Sequence, residues 1–227
     1  MITTSHFLGA DKALLSRRRW IRDDAMPEPV DFYFDFISPY GWIASRQIDA
    51  IAARHGREVV WRPLLLGITV LQVMGLKPLL DTPLKGDYLR HDVPRTARLF
   101  DLPYNPPPDG RQPNPLAAAR AYYWLFDRDP ALAKQLARRL YDRQWAEATD
   151  ISSAEVVVET AGEFGIARET ALAALADQKV KDRLRIAVEE AVARKAFGSP
   201  FIIVDDEPFW GCDRLWMVEK WLAGGGW

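Results

Sequence analysis

Strand-forming sequence in this chain is confined to two short stretches near its ends, with more than half of the residues lying between them. Val30 to Phe36 (VDFYFDF) is an aromatic and branched run of the kind a buried strand needs. Glu58 to Arg62 (EVVWR) is a second strand, stopped by Pro63. Between them Ser38-Pro39 is a favoured cap and first-turn pair for a helix. Trp42, Ile43, Ile48, Ile51 and Ala52 follow at helical spacing, and His55-Gly56 ends the helix. Strand, helix and strand in so short a span form a βαβ unit, whose two strands run parallel. Strand sequence returns only at Phe201 to Val204 (FIIV). A turn at Asp205-Asp206, a short edge strand at Pro208-Phe209-Trp210 and a closing helix over Asp213 to Leu222 complete the chain.

The middle reads as helix over 84–100, 114–127, 131–147, 153–164, 168–176 and 178–196, with Pro-rich breaks of which Pro103 to Pro115 is the clearest. Neither end can bury its strands alone, so both must meet in one mixed sheet. The expected architecture is therefore α/β: a thioredoxin-like fold, β-α-β then β-β-α, carrying a large all-helical insertion domain. Residues 29–66 and 197–227 would form the discontinuous thioredoxin-like domain and 67–196 the insertion. Residues 1–28 read as an N-terminal extension without a function of its own.

Composition removes several classes. A net charge of −1 makes nucleic acid or an anionic membrane surface an unsuitable partner. No apolar run reaches the roughly 18 to 20 residues of a membrane span, and the first 25 residues lack the apolar centre of a secretory signal. Arg17-Arg18-Arg19 points to an organellar presequence, but Asp11, Asp23 and Asp24 argue against one. One Cys and three His exclude a disulfide scaffold, a Cys/His zinc site and dithiol chemistry, and they suit a reducing, cytoplasmic setting. His6, His55 and His91 have no metal-ligand neighbour at useful spacing, so no metal is expected.

Three short segments fall in loops beside the expected sheet. Ser38 in Phe36-Ile37-Ser38-Pro39-Tyr40 is, on the plain reading, a helix cap. The same position also offers a thiolate the partial positive charge of a helix start and a hydroxyl that cannot form a disulfide. In Gly198-Ser199-Pro200 the proline is either a structural turn or part of a cis bond. The cis form would aim the Ser199 backbone outward at a peptide-like ligand, although cis occurs in only about one X–Pro bond in twenty. In Trp210-Gly211-Cys212-Asp213-Arg214-Leu215, Asp213 is either the ordinary acidic partner of a helix N-terminus or a grip for a ligand amino group.

The runs FYFDFISPYGW and KAFGSPFIIVDDEPFWGCDRLWMVEKWL resemble the 2-hydroxychromene-2-carboxylate isomerases, glutathione-dependent members of the DsbA-like group related to kappa-class glutathione transferases. Tyr88, Asp92, Arg95 and Ala97, then Pro113-Asn114-Pro115-Leu116 with Arg120, and Trp145 with Asp150-Ile151, agree with the same family. The resemblance covers about Val30 to Leu222.

It implies glutathione as cofactor and a small-molecule substrate, an unsaturated or aromatic carboxylic acid. It also implies a homodimer. Ser38 matches the family's catalytic serine, and Gly41 stands where DsbA proteins have a second Cys. Ser199 and Pro200 match the segment that pairs with the cysteinyl backbone of glutathione, and Trp210, Gly211, Cys212 and Asp213 match the stretch that grips its γ-glutamyl end. Cys212 fills a position usually held by Asn, Ser or Gln, so its backbone is expected to matter more than its thiol. The Gly-x-x-Phe-Lys-like run of the family is replaced by Gly67-Ile68-Thr69-Val70-Leu71-Gln72, a rebuilt second pocket. A kappa-type transferase or peroxidase uses the same thiol site, and the missing Lys motivates a third reading, a non-catalytic thiol- or peptide-binding protein. Arg95 and Arg120 are read as surface or ion-pair residues rather than substrate ligands.

Overall fold

The computed structural model describes residues 28–108, 110 and 112–227, so the expected extension lies outside the described residues apart from Glu28. The first βαβ unit comprises β1 (Val30–Phe34), α1 (Pro39–Ser45), α2 (Ile48–Arg54) and β2 (Val59–Pro63). Strands β3 (Phe201–Val204) and β4 (Glu207–Trp210) return from the far end of the chain and complete a sheet of order β2-β1-β3-β4. The β1–β2 pair is parallel, with Val30 opposite Val59. The β1–β3 and β3–β4 pairs are antiparallel, Ile202 lying opposite both Phe32 and Phe209. The mixed sheet expected from the two ends of the sequence is thus the one formed.

Two local departures have physical causes. The single helix expected after Ser38 is broken at Arg46-Gln47. The Ser45 hydroxyl donates to the Trp42 carbonyl at 2.6 Å, and Arg46 and Gln47 bond three residues back, a tightened last turn that bends the axis. The stretch between β2 and the first long helix, to which the sequence assigned no element, forms a π-helical turn at Gly67–Val73 and a 3-10 turn at Leu79–Asp81. Thr69 is the one buried residue in that π-helical turn, so its apolar residues show no buried stripe from which periodicity could be read.

The helical middle consists of α3 (Lys85–Leu99), α4 (Leu116–Phe126), α5 (Pro130–Trp145), α6 (Ala154–Gly162), α7 (Arg168–Ala176) and α8 (Gln178–Ala193), close to the expected bounds. Asp129, Ser153 and Asp177 cap α5, α6 and α8 through their side chains. The chain closes with a 3-10 turn at Cys212–Arg214 and α9 (Leu215–Gly224).

The helices share one core with the sheet. Phe32, Phe34, Trp61, Tyr122, Leu136 and Tyr141 are all fully buried in it, each apolar side chain of this size contributing about 2 to 3 kcal/mol. Four aromatic donors from α4 and α5 satisfy carbonyls that the sheet leaves open. Tyr122 donates to Trp61 at 2.7 Å and Tyr123 to Pro63 at 2.9 Å; Tyr141 donates to Asp35 at 2.9 Å and Trp145 to Phe36 at 3.1 Å. Tyr141 and Trp145 are four apart and so lie on one face of α5. That face holds the β1–α1 loop, which carries Ser38.

Candidate active site

Ser38 caps α1. Its oxygen accepts the Gly41 N–H at 3.1 Å, Pro39 occupies the first helical position, and its own N–H bonds the Asp35 carbonyl at 2.9 Å. The hydroxyl proton goes to the Ser199 carbonyl, at 2.7 Å. The Ser199–Pro200 bond is cis. Contrary to the expectation for a cis bond, the Ser199 carbonyl does not face outward: it is occupied by the Ser38 hydroxyl. The Ser199 hydroxyl accepts from the Asp35 N–H at 2.9 Å and also meets the Tyr141 phenol. Ser38 and Ser199 are both buried.

The third segment joins through the next carbonyl, since the Gly211 N–H donates to Pro200 at 3.0 Å. Gly211 has φ +109°, a conformation that favours glycine, and a Cβ there would run into the Asp213 carboxylate. Trp210 is 59% exposed and sits edge-on to Phe197 with ring centroids 4.9 Å apart. Its indole lies so close over Gly198 that any side chain at that position would displace it. Cys212 is buried, and burial, together with Asp213 and Asp92, pushes its thiol up to about 12. Its sulfur is therefore a neutral thiol near pH 7. The Asp213 carboxylate is exposed and pairs with Arg214. All seven residues singled out in the sequence thus fall on three adjoining segments.

Gly41, at the second position of a would-be Cys-x-x-Cys, has no room for a side chain. A Cβ there would lie 2.6 Å from both the Ser199 hydroxyl and the Tyr141 phenol. On the other flank, Asp92 of α3 receives the Tyr40 hydroxyl, the Tyr88 hydroxyl at 3.0 Å and the Arg95 guanidinium, tying α3 to the start of α1. Burial and Asp92 hold the Tyr40 phenol well above its ordinary range, so it stays protonated. Arg95 is thereby an ion-pair residue, as expected. Among the described residues no cluster of three or more His, Cys, Asp or Glu is placed to hold a metal, and no helix is long and apolar enough to cross a membrane.

Sequence reading missed Asp35, Tyr40, Tyr141 and Thr69, whose hydroxyl reaches the Phe197 carbonyl at 3.4 Å. Asp35 did carry a signal, being a charge inside the aromatic run FYFDF. Tyr141 carried none, because nothing local distinguishes it from an ordinary helical core residue.

Residues 29–223 match the model of the DSBA-like thioredoxin domain. The chain belongs to this family. Within it, the chain is 28% identical over 194 residues to a 2-hydroxychromene-2-carboxylate isomerase of Pseudomonas putida, covering 84% of this chain and 92% of that protein. It is also 28% identical over 204 residues to glutathione S-transferase kappa 1 of Caenorhabditis elegans, covering 85% and 90%. The solved structure of a 2-hydroxychromene-2-carboxylate isomerase superimposes with a TM-score of 0.78 at 25% identity, covering 86% of this DsbA-like chain and 95% of that one. The relatives are enzymes, and the shared fold extends through the helical insertion as well as the sheet.

Proposed function

We propose that this protein is a glutathione-dependent isomerase of an unsaturated or aromatic carboxylic acid. The observation that carries this reading is the pair of hydrogen bonds, Ser38 to Ser199 and Gly211 to Pro200, that gathers three remote segments into one site. In this reading residues 29–66 and 197–227 hold the thiol tripeptide, while 67–196 supply the substrate side.

The site's own groups fit such a ligand. Ser38 has a hydroxyl that can turn from the Ser199 carbonyl toward a sulfur, freeing that carbonyl for a peptide N–H. The Ser199 backbone lies beside Ser38, and the exposed carboxylate of Asp213 suits an ammonium group. Gly198 and Gly211 let Trp210 and the backbone approach closely. When bound, glutathione supplies a thiol nucleophile that adds reversibly to a conjugated carbon and is released unchanged. Ser38 donates to the sulfur, favouring its anionic form. Buried Tyr141 and Ser199 leave no second thiol position, so the chemistry stays non-redox. A cytoplasmic setting and a homodimer belong to the same reading.

Titration calorimetry with reduced glutathione, on the wild type, Ser38→Ala and Asp213→Ala, tests the proposal. Saturable binding weakened by Asp213→Ala is expected; absence of binding in the wild type sinks it. The equal identity to a kappa transferase favours one second reading, conjugation with glutathione consumed. Product analysis separates the two, because isomerisation leaves the glutathione concentration unchanged.

A further inference from the structure

Asp35 plays no part in the reading above, yet it is the one fully buried acid among the described residues. Among the described residues no cationic side chain pairs with it. Its carboxylate is met by backbone donors: the Leu66 N–H at 2.7 Å, the Ile37 N–H at 3.2 Å and the Phe36 N–H. Its main chain is equally committed, its N–H to the Ser199 hydroxyl and its carbonyl to the Tyr141 phenol and the Ser38 N–H. One residue therefore joins the Ser38 turn, the loop before β3, α5 and the residue that leads into Gly67–Val73. An apolar side chain of this size would leave those donors unpaired. An asparagine would present an NH2 to one of them. A carboxylate alone offers an acceptor to both segments.

We propose that Asp35 is a positioning residue whose ionisation couples the two halves of the site: as carboxylate it clamps the Ser38 turn to the segment after β2, and on protonation it releases one of them.

The chemistry follows from the donor count. Adding a proton places an O–H among groups that are all donors and turns one oxygen into a much weaker acceptor, so the N–H contact to that oxygen loosens. Burial raises the Asp35 carboxyl from 3.8 to about 7, against the pull of the three N–H groups, so both forms are accessible around neutrality. The surrounding ionisable groups do not compete for this role. Tyr141, facing it from α5, is kept neutral by burial. Tyr40 on α1 is engaged by Asp92, and Arg62 on β2 is bound to Asp31.

Two readouts test the clamp. In the ligand-free full-length protein, the Ile37 and Leu66 amide resonances are followed across the pH range around neutrality. They are expected to titrate together with a midpoint near that of Asp35. Amides that do not move over this range overturn the proposal, whatever the ligand. The second readout rests on the glutathione reading and uses S-methylglutathione, a thioether with no thiol to titrate. If only the clamped form binds well, affinity one pH unit below the midpoint falls about tenfold, and Asp35→Asn binds with a flat pH profile. A wild-type profile that is flat, or one that Asp35→Asn leaves unchanged, also overturns the clamp. Titrating amides with no S-methylglutathione binding at any pH would instead uphold the clamp and reject glutathione as the ligand.

Discussion

The Ser38 hydroxyl donates to the Ser199 carbonyl at 2.7 Å across 161 residues of sequence, so the two halves of the candidate site are each other's partner. The serine that looks like a helix cap is that cap, and its proton is held by a carbonyl from the far end of the chain.

Ser38→Ala removes the acceptor for Gly41 and the donor for Ser199. Losing the cap costs about 0.5 to 2 kcal/mol of stability, which a denaturant titration reads directly. The chemical effect is larger and separable. If the proposed glutathione chemistry holds, bound glutathione is expected to show a higher thiol pKa in its ultraviolet thiolate absorbance once the hydroxyl is gone, and turnover to fall by about two orders of magnitude. An unchanged thiolate absorbance would remove Ser38 from the mechanism and leave it a cap.

Gly41→Ala probes why the site cannot host a second thiol. Its Cβ would sit 2.6 Å from the Ser199 hydroxyl and the Tyr141 phenol, both anchored to Asp35. Relief requires those buried groups to move, at about 1 to 3 kcal/mol. We expect a lowered denaturation midpoint and weakened glutathione binding together. A fully stable Gly41→Ala would mean that the Tyr141 and Ser199 contacts yield easily, and Ser38→Cys/Gly41→Cys would then be able to close a disulfide.

Cys212 lies at the site without being a nucleophile. Its thiol is pushed from 9.0 to about 12, chiefly by burial and then by Asp213. A thiol held there carries about a thousandfold less thiolate than an ordinary one. The folded protein should therefore react with a thiol reagent about that much more slowly than the unfolded chain at the same mildly alkaline pH. Cys212→Ser should retain glutathione binding. Rapid modification of the native protein would contradict the burial of this side chain.

The sheet was legible because its signals are strong and local: FYFDF, EVVWR and FIIV are short aromatic and branched runs bounded by turn or cap signals, and Ser38-Pro39 is a favoured helix start. The motif residues Ser38, Ser199, Pro200 and Trp210 to Asp213 were legible as a set through family resemblance, and they do converge. What escaped was long-range. Tyr141 serves the site from another element, and only the folded packing of α5 on the β1–α1 loop gives it that role. The break between α1 and α2 depends on one serine hydroxyl turning back onto Trp42. The 67–73 turn lacks a buried stripe altogether. Asp35 was visible as an acid in an apolar run, but its meaning lay in N–H groups from Ile37 and Leu66 that sequence spacing cannot place.

The clamp carries a stability signature of definite sign. Asp35 is raised in the folded state from 3.8 to about 7, so between these values the native protein holds a proton that the unfolded chain has released. Stability from this group is full below the lower value and is lost as pH rises to the upper one, by about 4 kcal/mol in all. Asp35→Asn has no such proton. Subtracting its pH-dependent unfolding free energy from that of the wild type cancels the other carboxylates, and the difference should fall steadily through this window and level off above it. The form that clamps the site is then the less stable fold, which is the expected trade where a functional geometry requires a buried charge. A difference that stays constant across the window would mean that the N–H groups outweigh burial and keep Asp35 ionised throughout. The clamp would then be permanently closed rather than proton-linked.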